Sequence, residues 1–166
     1  MKLVIGSVIA LFGIVFFLFA LFPSDMSVSR VVRINAPRDS VLGVLSDLRT
    51  WSKWNTLIGG GRLEQRDKVF SLQADSNRLE TENLTVLRFK TTTDSVLTRW
   101  QSASGRSFTG RYIVTESGGQ VILEWSLEFH LRWYPWEKLA SMFYDKQLGP
   151  LMEQSLLNLR KELEPV

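Results

Sequence analysis

Side chains able to do acid–base or nucleophilic chemistry are few in this sequence. It holds one histidine, His130, and no cysteine. Without a thiol there is no disulfide, no sulfur ligand for a metal and no cysteine nucleophile. A zinc site needs three or four converging ligands, which one imidazole without cysteines does not supply. Neither a Gly-x-Ser-x-Gly elbow nor a His-Glu-x-x-His run occurs. Gly59-Gly60-Gly61 lacks the Lys-Ser/Thr of a phosphate loop and reads as a mobile loop. Paired carboxylate chemistry requires two acids converging in a cleft. Glu124 and Glu128 instead share the strand parity of His130, on a face expected to be wet. The reading is therefore of no catalytic residue, no metal and no cofactor. Aromatic side chains are what the sequence has in quantity: six Trp, ten Phe and three Tyr. Such residues either pack a core or wall a pocket for an apolar guest.

The elements that must position these side chains are legible from periodicity. Ser27–Asn35 is β-branched and partly alternating, and predicts a first strand. Pro37 and Asp39 suit the start of a helix. That helix carries Val41, Leu42, Val44, Leu45 and Leu48, followed by a short segment with Trp51 and Trp54. Further strands are predicted at about 62–74, 83–92, 95–103, 107–116 and 120–133, separated by Asp, Asn, Ser and Gly turns. In the last of them Val121, Leu123, Trp125, Leu127, Phe129, Leu131 and Trp133 alternate with polar residues, as one dry and one wet face of an antiparallel sheet require. From Pro135 the period becomes helical, with Leu139, Met142, Phe143, Leu148, Leu151, Met152, Leu156 and Leu159 as one stripe. Pro150 removes a helix hydrogen bond, so Gly149-Pro150 predicts a kink or restart.

Residues Leu3 to Phe22 contain no charge. At about 1.5 Å per residue they span roughly 30 Å, the thickness of a bilayer core. The run is long for a signal peptide, and Phe19-Ala20-Leu21-Phe22 is a poor cleavage site. The expectation is a transmembrane anchor over residues 1–25, then one domain over 26–166. Lys2 before the run and Asp25 after it favour the non-cytoplasmic, periplasmic side for the domain. The net charge of +3 is scattered rather than gathered in a stripe, which excludes a nucleic-acid footprint.

Several stretches are similar to a known superfamily. VVRINAPRDSVLGVLSDLRTWSKWN resembles the opening of the START-like, or SRPBCC, superfamily, through Ile34, Ala36, Pro37, Asp47, Trp51 and Trp54. GGQVILEWSLEF resembles its late strand, with Trp125 at the tryptophan position. Lys146, Gly149, Pro150, Leu156 and Leu159 match its closing helix, and members of the polyketide cyclase/dehydrase-like branch also often carry an N-terminal membrane helix. The resemblance implies an α+β helix-grip fold, a curved antiparallel sheet wrapped around a long C-terminal helix with a hydrophobic cavity between. Strand parity then places Trp100, Tyr112, Trp125 and Phe129 on the concave face, with Trp54 and Phe143 at the cavity ends. Thr98 and Arg88 are candidates for its polar groups. Core packing and a pocket wall both fit these aromatics. The leading expectation is binding of a hydrophobic small molecule or lipid without catalysis. The alternatives are a cyclase/dehydrase-type enzyme using Arg88 or Tyr112, and a structural domain that binds a protein partner.

Overall fold

In the computed structural model, residues 6–7, 10–14, 16–17, 24–58, 73–132 and 134–164 are described. The expected membrane span over 3–22 lies largely outside them. Residues 6–7, 10–14 and 16–17 are helical and exposed. No helix among the described residues is long and apolar enough to cross a membrane. The Gly59-Gly60-Gly61 loop and most of the strand expected at 62–74 also lie outside the described residues.

The described residues form a seven-stranded antiparallel sheet: β1 (Asp25–Ile34), β2 (Gln73–Ala74), β3 (Arg78–Glu80), β4 (Leu84–Thr91), β5 (Ser95–Ser102), β6 (Ser107–Ser117) and β7 (Gln120–His130). The spatial order is β1-β7-β6-β5-β4-β3-β2. The first and last strands are therefore neighbours, paired from Asp25↔His130 to Ile34↔Val121. β6 and β7 join through Gly118 and Gly119 at φ of 60° and 77°, the left-handed pair that a tight hairpin with right-handed twist demands. β3 is absent from the sequence reading, because three residues are too few to show a period.

Helix α1 (Arg38–Ser46) follows Pro37 and buries Val41 and Leu45, one helical turn apart. It stops at Asp47, whose carboxylate accepts the Arg49 backbone N–H at 3.1 Å and so opens a 3₁₀ turn, Leu48–Thr50. One helical turn, α2 (Trp51–Trp54), and a second 3₁₀ turn, Thr56–Ile58, follow. β7 ends at His130, earlier than expected. The Leu131 N–H closes onto the Ser24 carbonyl at 2.7 Å, and the Arg132 N–H then turns away to the Glu137 carboxylate at 2.9 Å. Glu137 lies in the first turn of α3 (Pro135–Ser141).

Helix α4 (Tyr144–Leu163) runs without interruption through Pro150. The expected restart at Gly149-Pro150 is thus displaced to the corner at Met142–Phe143. Gly149 has another role. Arg30 of β1 lies across it, where an added Cβ would collide with the guanidinium. Arg30 bonds Glu153 at 2.7 Å and Asp145 at 3.0 Å, and these two carboxylates push its pKa above the ordinary arginine value. The clasp fixes α4 over β1. Met152, Ser155, Leu156 and Leu159 of α4 are buried beneath it, and the fully buried core also contains Ile34, Leu45, Leu48, Leu79, Leu123 and Leu127.

Candidate functional site

The side chains of β5, β6 and β7 alternate across the sheet, so Trp100, Tyr112 and Trp125 emerge on one face from three adjacent strands. Trp51 and Trp54 approach them from α2. Three positions apart on a helix, they project from the same side. All five rings are fully buried. Tyr112 stacks on Trp125 with centroids 5.2 Å apart, and Trp51 meets Tyr112 edge-on at 5.2 Å. Trp54 stands edge-on to both Tyr112 and Trp125, each at 6.4 Å. Trp100 stacks over Trp125 at 6.3 Å and on Phe108 at 5.7 Å, and from there the contacts continue to Phe129 and Tyr144.

Helix α4 holds the α2 segment in place through a polar seam. Buried Ser155 accepts the Thr56 N–H at 2.9 Å, the Thr56 hydroxyl donates to the Leu151 carbonyl at 2.7 Å, and Asn158 donates to the Trp54 carbonyl at 3.4 Å. Asn55, between Trp54 and Thr56, is fully buried. Its Oδ1 accepts the Leu57 N–H at 3.1 Å. That bond sets the orientation of the amide, so Nδ2 is left to donate elsewhere.

Two of the indoles are satisfied by protein. Trp51 Nε1 donates to the Leu45 carbonyl at 3.2 Å. Trp100 Nε1 donates to Thr98 Oγ1 at 2.9 Å, and Thr98 passes its own proton to the Gly110 carbonyl at 3.1 Å. Gly110 makes this arrangement possible, because a Cβ there would lie 2.5 Å from Trp100 Nε1 and 2.6 Å from Thr98 Oγ1. Trp54 Nε1 and Trp125 Nε1, by contrast, are buried without a hydrogen-bond partner, while Asn55 Nδ2 and the Tyr112 hydroxyl have no partner but each other. Each such group costs about 1–3 kcal/mol if nothing meets it. Two together are a sizeable share of the net stability of a domain, about 5–15 kcal/mol. Burial holds the Tyr112 phenol well above its ordinary pKa, with a hydrogen bond from the Asn55 side chain pulling the other way. At neutral pH it is a neutral hydroxyl.

Of the residues expected to wall a pocket, Trp54, Trp100, Tyr112 and Trp125 come together, and Phe129 lies half-buried at the margin of the same ring chain. Phe143 does not join them. It is 55% exposed, because the corner before α4 turns the α3 stripe away from the core. Thr98 is buried in the cluster, but both of its hydrogen-bonding roles are used on Trp100 and Gly110. Arg88 is spent at the sheet surface on Thr91 and Asn77. His130 is exposed, with Nδ1 2.7 Å from Asp25. A groove of about 480 Å³ runs between Asn35–Arg38 and the β6–β7 hairpin, and none of the six expected residues lines it. Trp51 and Asn55 were missed. The three-residue spacing of Trp51 and Trp54 was a usable signal for the first, whereas nothing local marks the burial of the second.

The fold is shared with several solved structures. DynU16, a protein of the dynemicin biosynthetic locus, superposes with a TM-score of 0.58 at 16% identity over 84% of this chain. This chain spans about half the length of that protein, 47%. CalU16 from Micromonospora echinospora gives 0.56 at 14% identity, covering 83% of this chain and 74% of that one. A START superfamily protein from Mycobacterium smegmatis gives 0.54 at 15% identity, with 82% and 96% covered. No curated protein matches the sequence. At these identities the likeness establishes the helix-grip architecture alone. The sequence goes further, because a family model matches residues 25–164, the whole span from the first strand to the end of α4. The chain belongs to the polyketide cyclase / dehydrase and lipid transport family.

Proposed function

We propose that this protein is a membrane-tethered binding domain that holds an apolar small molecule or lipid between α4 and the sheet, without catalysing a reaction on it. The observation that carries the reading is the buried ring cluster in which the indole N–H groups of Trp54 and Trp125 are left unpartnered. A core built only to pack avoids such groups, whereas a ligand site combines apolar walls with a few polar ones. Tyr112 is the one ionisable side chain of the cluster, and its raised pKa makes it a poor proton donor and no base at neutral pH. That weighs against the cyclase/dehydrase reading.

Two observations support the tether. One is the uncharged run Leu3 to Phe22. The other is the inverted polarity of α3 and its corner, where Lys138 and Ser141 are buried while Trp136, Met142 and Phe143 are more than half exposed. This apolar face follows closely on Leu131, which is bonded to Ser24 where the chain enters the sheet. A bilayer surface would cover it, since Trp and Phe suit the interface. Under this reading the chain crosses the membrane once and the domain lies on the periplasmic side. A protein partner is not required.

The test is native mass spectrometry of the full-length chain, purified in detergent, stripped of lipid and re-exposed to a total lipid extract. A retained adduct of defined mass is the expected result. No adduct under conditions that preserve the fold would sink the binding reading.

A further inference from the structure

The exposed apolar face of α3 is framed by charge. Leu139 follows Trp136 by three positions, and Met142 and Phe143 follow Leu139 by three and four, the spacings that share a side on a helix. All four side chains are exposed. Tyr134 stacks on Trp136, ring centroids 4.8 Å apart and nearly parallel, which enlarges the aromatic surface. Both carboxylates of the segment 132–146 are engaged within the protein. Glu137 accepts the Arg132 backbone N–H at 2.9 Å and lies 3.7 Å from Arg106, and Asp145 meets Arg30 at 3.0 Å. Its end residues Arg132 and Lys146 are exposed, and among the described residues neither side chain meets a carboxylate. The face is thus an apolar stripe between two uncommitted positive charges. A second copy paired on it two-fold would bring the same two cations and no free carboxylate, which repels.

Chain connectivity places this face beside the end of the uncharged run. Ser24 follows Phe22 by two residues, at most about 7 Å. Its carbonyl holds the Leu131 N–H at 2.7 Å, next to Arg132, and α3 begins four residues later, within about 14 Å. Resting on the tether reading above, we propose that α3 is a second membrane contact that selects an anionic bilayer surface. The stripe from Trp136 to Phe143 sits among the upper acyl chains, and Arg132 and Lys146 meet anionic headgroups. The domain is then held at two points and stands in one orientation on the membrane. Each Lys or Arg near such a surface shifts the equilibrium about fivefold.

The test uses the full-length chain reconstituted in phosphatidylcholine vesicles with or without phosphatidylglycerol. Part of the phosphatidylcholine is brominated in the upper acyl chain, where it quenches tryptophan on contact. Quenching of the wild type minus that of Trp136→Phe isolates Trp136. With phosphatidylglycerol present this component is expected to be clear. Without it the ratio of seated to lifted α3 should fall at least about fivefold, and Lys146→Gln in the mixed vesicles should lower it about fivefold. No Trp136 component in the mixed vesicles, or the same component in both vesicles, overturns this inference. So does a Trp136 shielded from bromolipid and from acrylamide alike, which would put a second copy on the face. In each of these cases the chain stays in the vesicles through an alkaline carbonate wash, and the tether reading stands. Release of the chain by that wash sinks the tether, and this inference with it. If Trp136→Phe does not fold, the wild-type difference between the two vesicles decides, because Trp51, Trp54, Trp100 and Trp125 are buried in the core.

Discussion

Thr98→Val and Tyr112→Phe each remove one buried hydroxyl from the same cluster, and the structure assigns them unequal consequences. The Thr98 hydroxyl accepts from Trp100 at 2.9 Å and donates to Gly110 at 3.1 Å. Valine keeps the shape but ends both bonds and leaves the Trp100 N–H buried and alone. One lost bond at about 1 kcal/mol plus one orphaned donor at about 1–3 kcal/mol gives a loss of about 2–4 kcal/mol. Relaxation cannot recover much of it, because the indole lies against Gly110 with no space for a Cβ between them. The Tyr112 hydroxyl meets only the Asn55 side chain. Phenylalanine ends that one contact and costs about 1 kcal/mol, the net worth of a single hydrogen bond. For a domain of this size 1 kcal/mol corresponds to about 3 °C. Thermal unfolding of lipid-stripped protein, followed by near-ultraviolet circular dichroism, should therefore show Tm about 6–12 °C lower in Thr98→Val and only about 3 °C lower in Tyr112→Phe. If Tyr112→Phe loses as much as Thr98→Val, the two hydroxyls are equally engaged, and the reasoning from the Trp100–Thr98–Gly110 relay is wrong.

Three further outcomes follow from the framework around the cluster. Glu164 is held below the ordinary carboxylate pKa first by the Asn35 backbone N–H and then by Arg160. The unfolded chain thus takes up the proton first, so this stability is complete above the ordinary carboxylate pKa, about 4, and is lost as pH falls through the lowered folded value. Asp47 and Asp75 are shifted the same way, by Arg49 and by the backbone N–H groups of Asn77 and Arg78 respectively. Glu164→Gln should lower Tm at pH 7 and make the acid loss shallower, and an unchanged slope would show that the Asn35 contact does not form. Arg30→Ala frees α4 from β1 and should cost about 1–2 kcal/mol in urea unfolding, with the wild-type advantage reduced in high salt. A salt-independent loss would point to packing over Gly149 instead. Since the chain has no cysteine, Phe143→Cys carries a single nitroxide. In vesicles its spectrum should respond to oxygen more than to a water-soluble nickel relaxant, and the reverse would place α3 in water.

What could be read from the sequence was whatever repeats along the chain. The residues of β7 alternate along its length apart from Ile122, so the facing of Trp125 was legible, and the same parity on β5 and β6 brought Trp100 and Tyr112 beside it. The last helix was legible from its stripe, but its beginning was not. Leu139, Met142 and Phe143 continue the apolar period of α4, yet the corner at Met142–Phe143 reorients α3, and those side chains face outward. Hydrophobic period reports that residues share a side; it does not report which body covers that side, core or bilayer. The polar half of the site was hidden for a different reason. Asn55 is an ordinary helix-terminal residue by local criteria, and it becomes a buried donor only because Ser155 and Asn158, about a hundred residues later, tie its segment under α4. Trp54 and Trp125 differ from Trp51 and Trp100 in nothing the sequence shows. Whether an indole N–H is spent or free depends on the backbone carbonyl or threonine that folding sets before it. The chemistry of the site is therefore a property of the pairings the fold withholds, and free donors among satisfied ones are where a guest with a matching oxygen has most to gain.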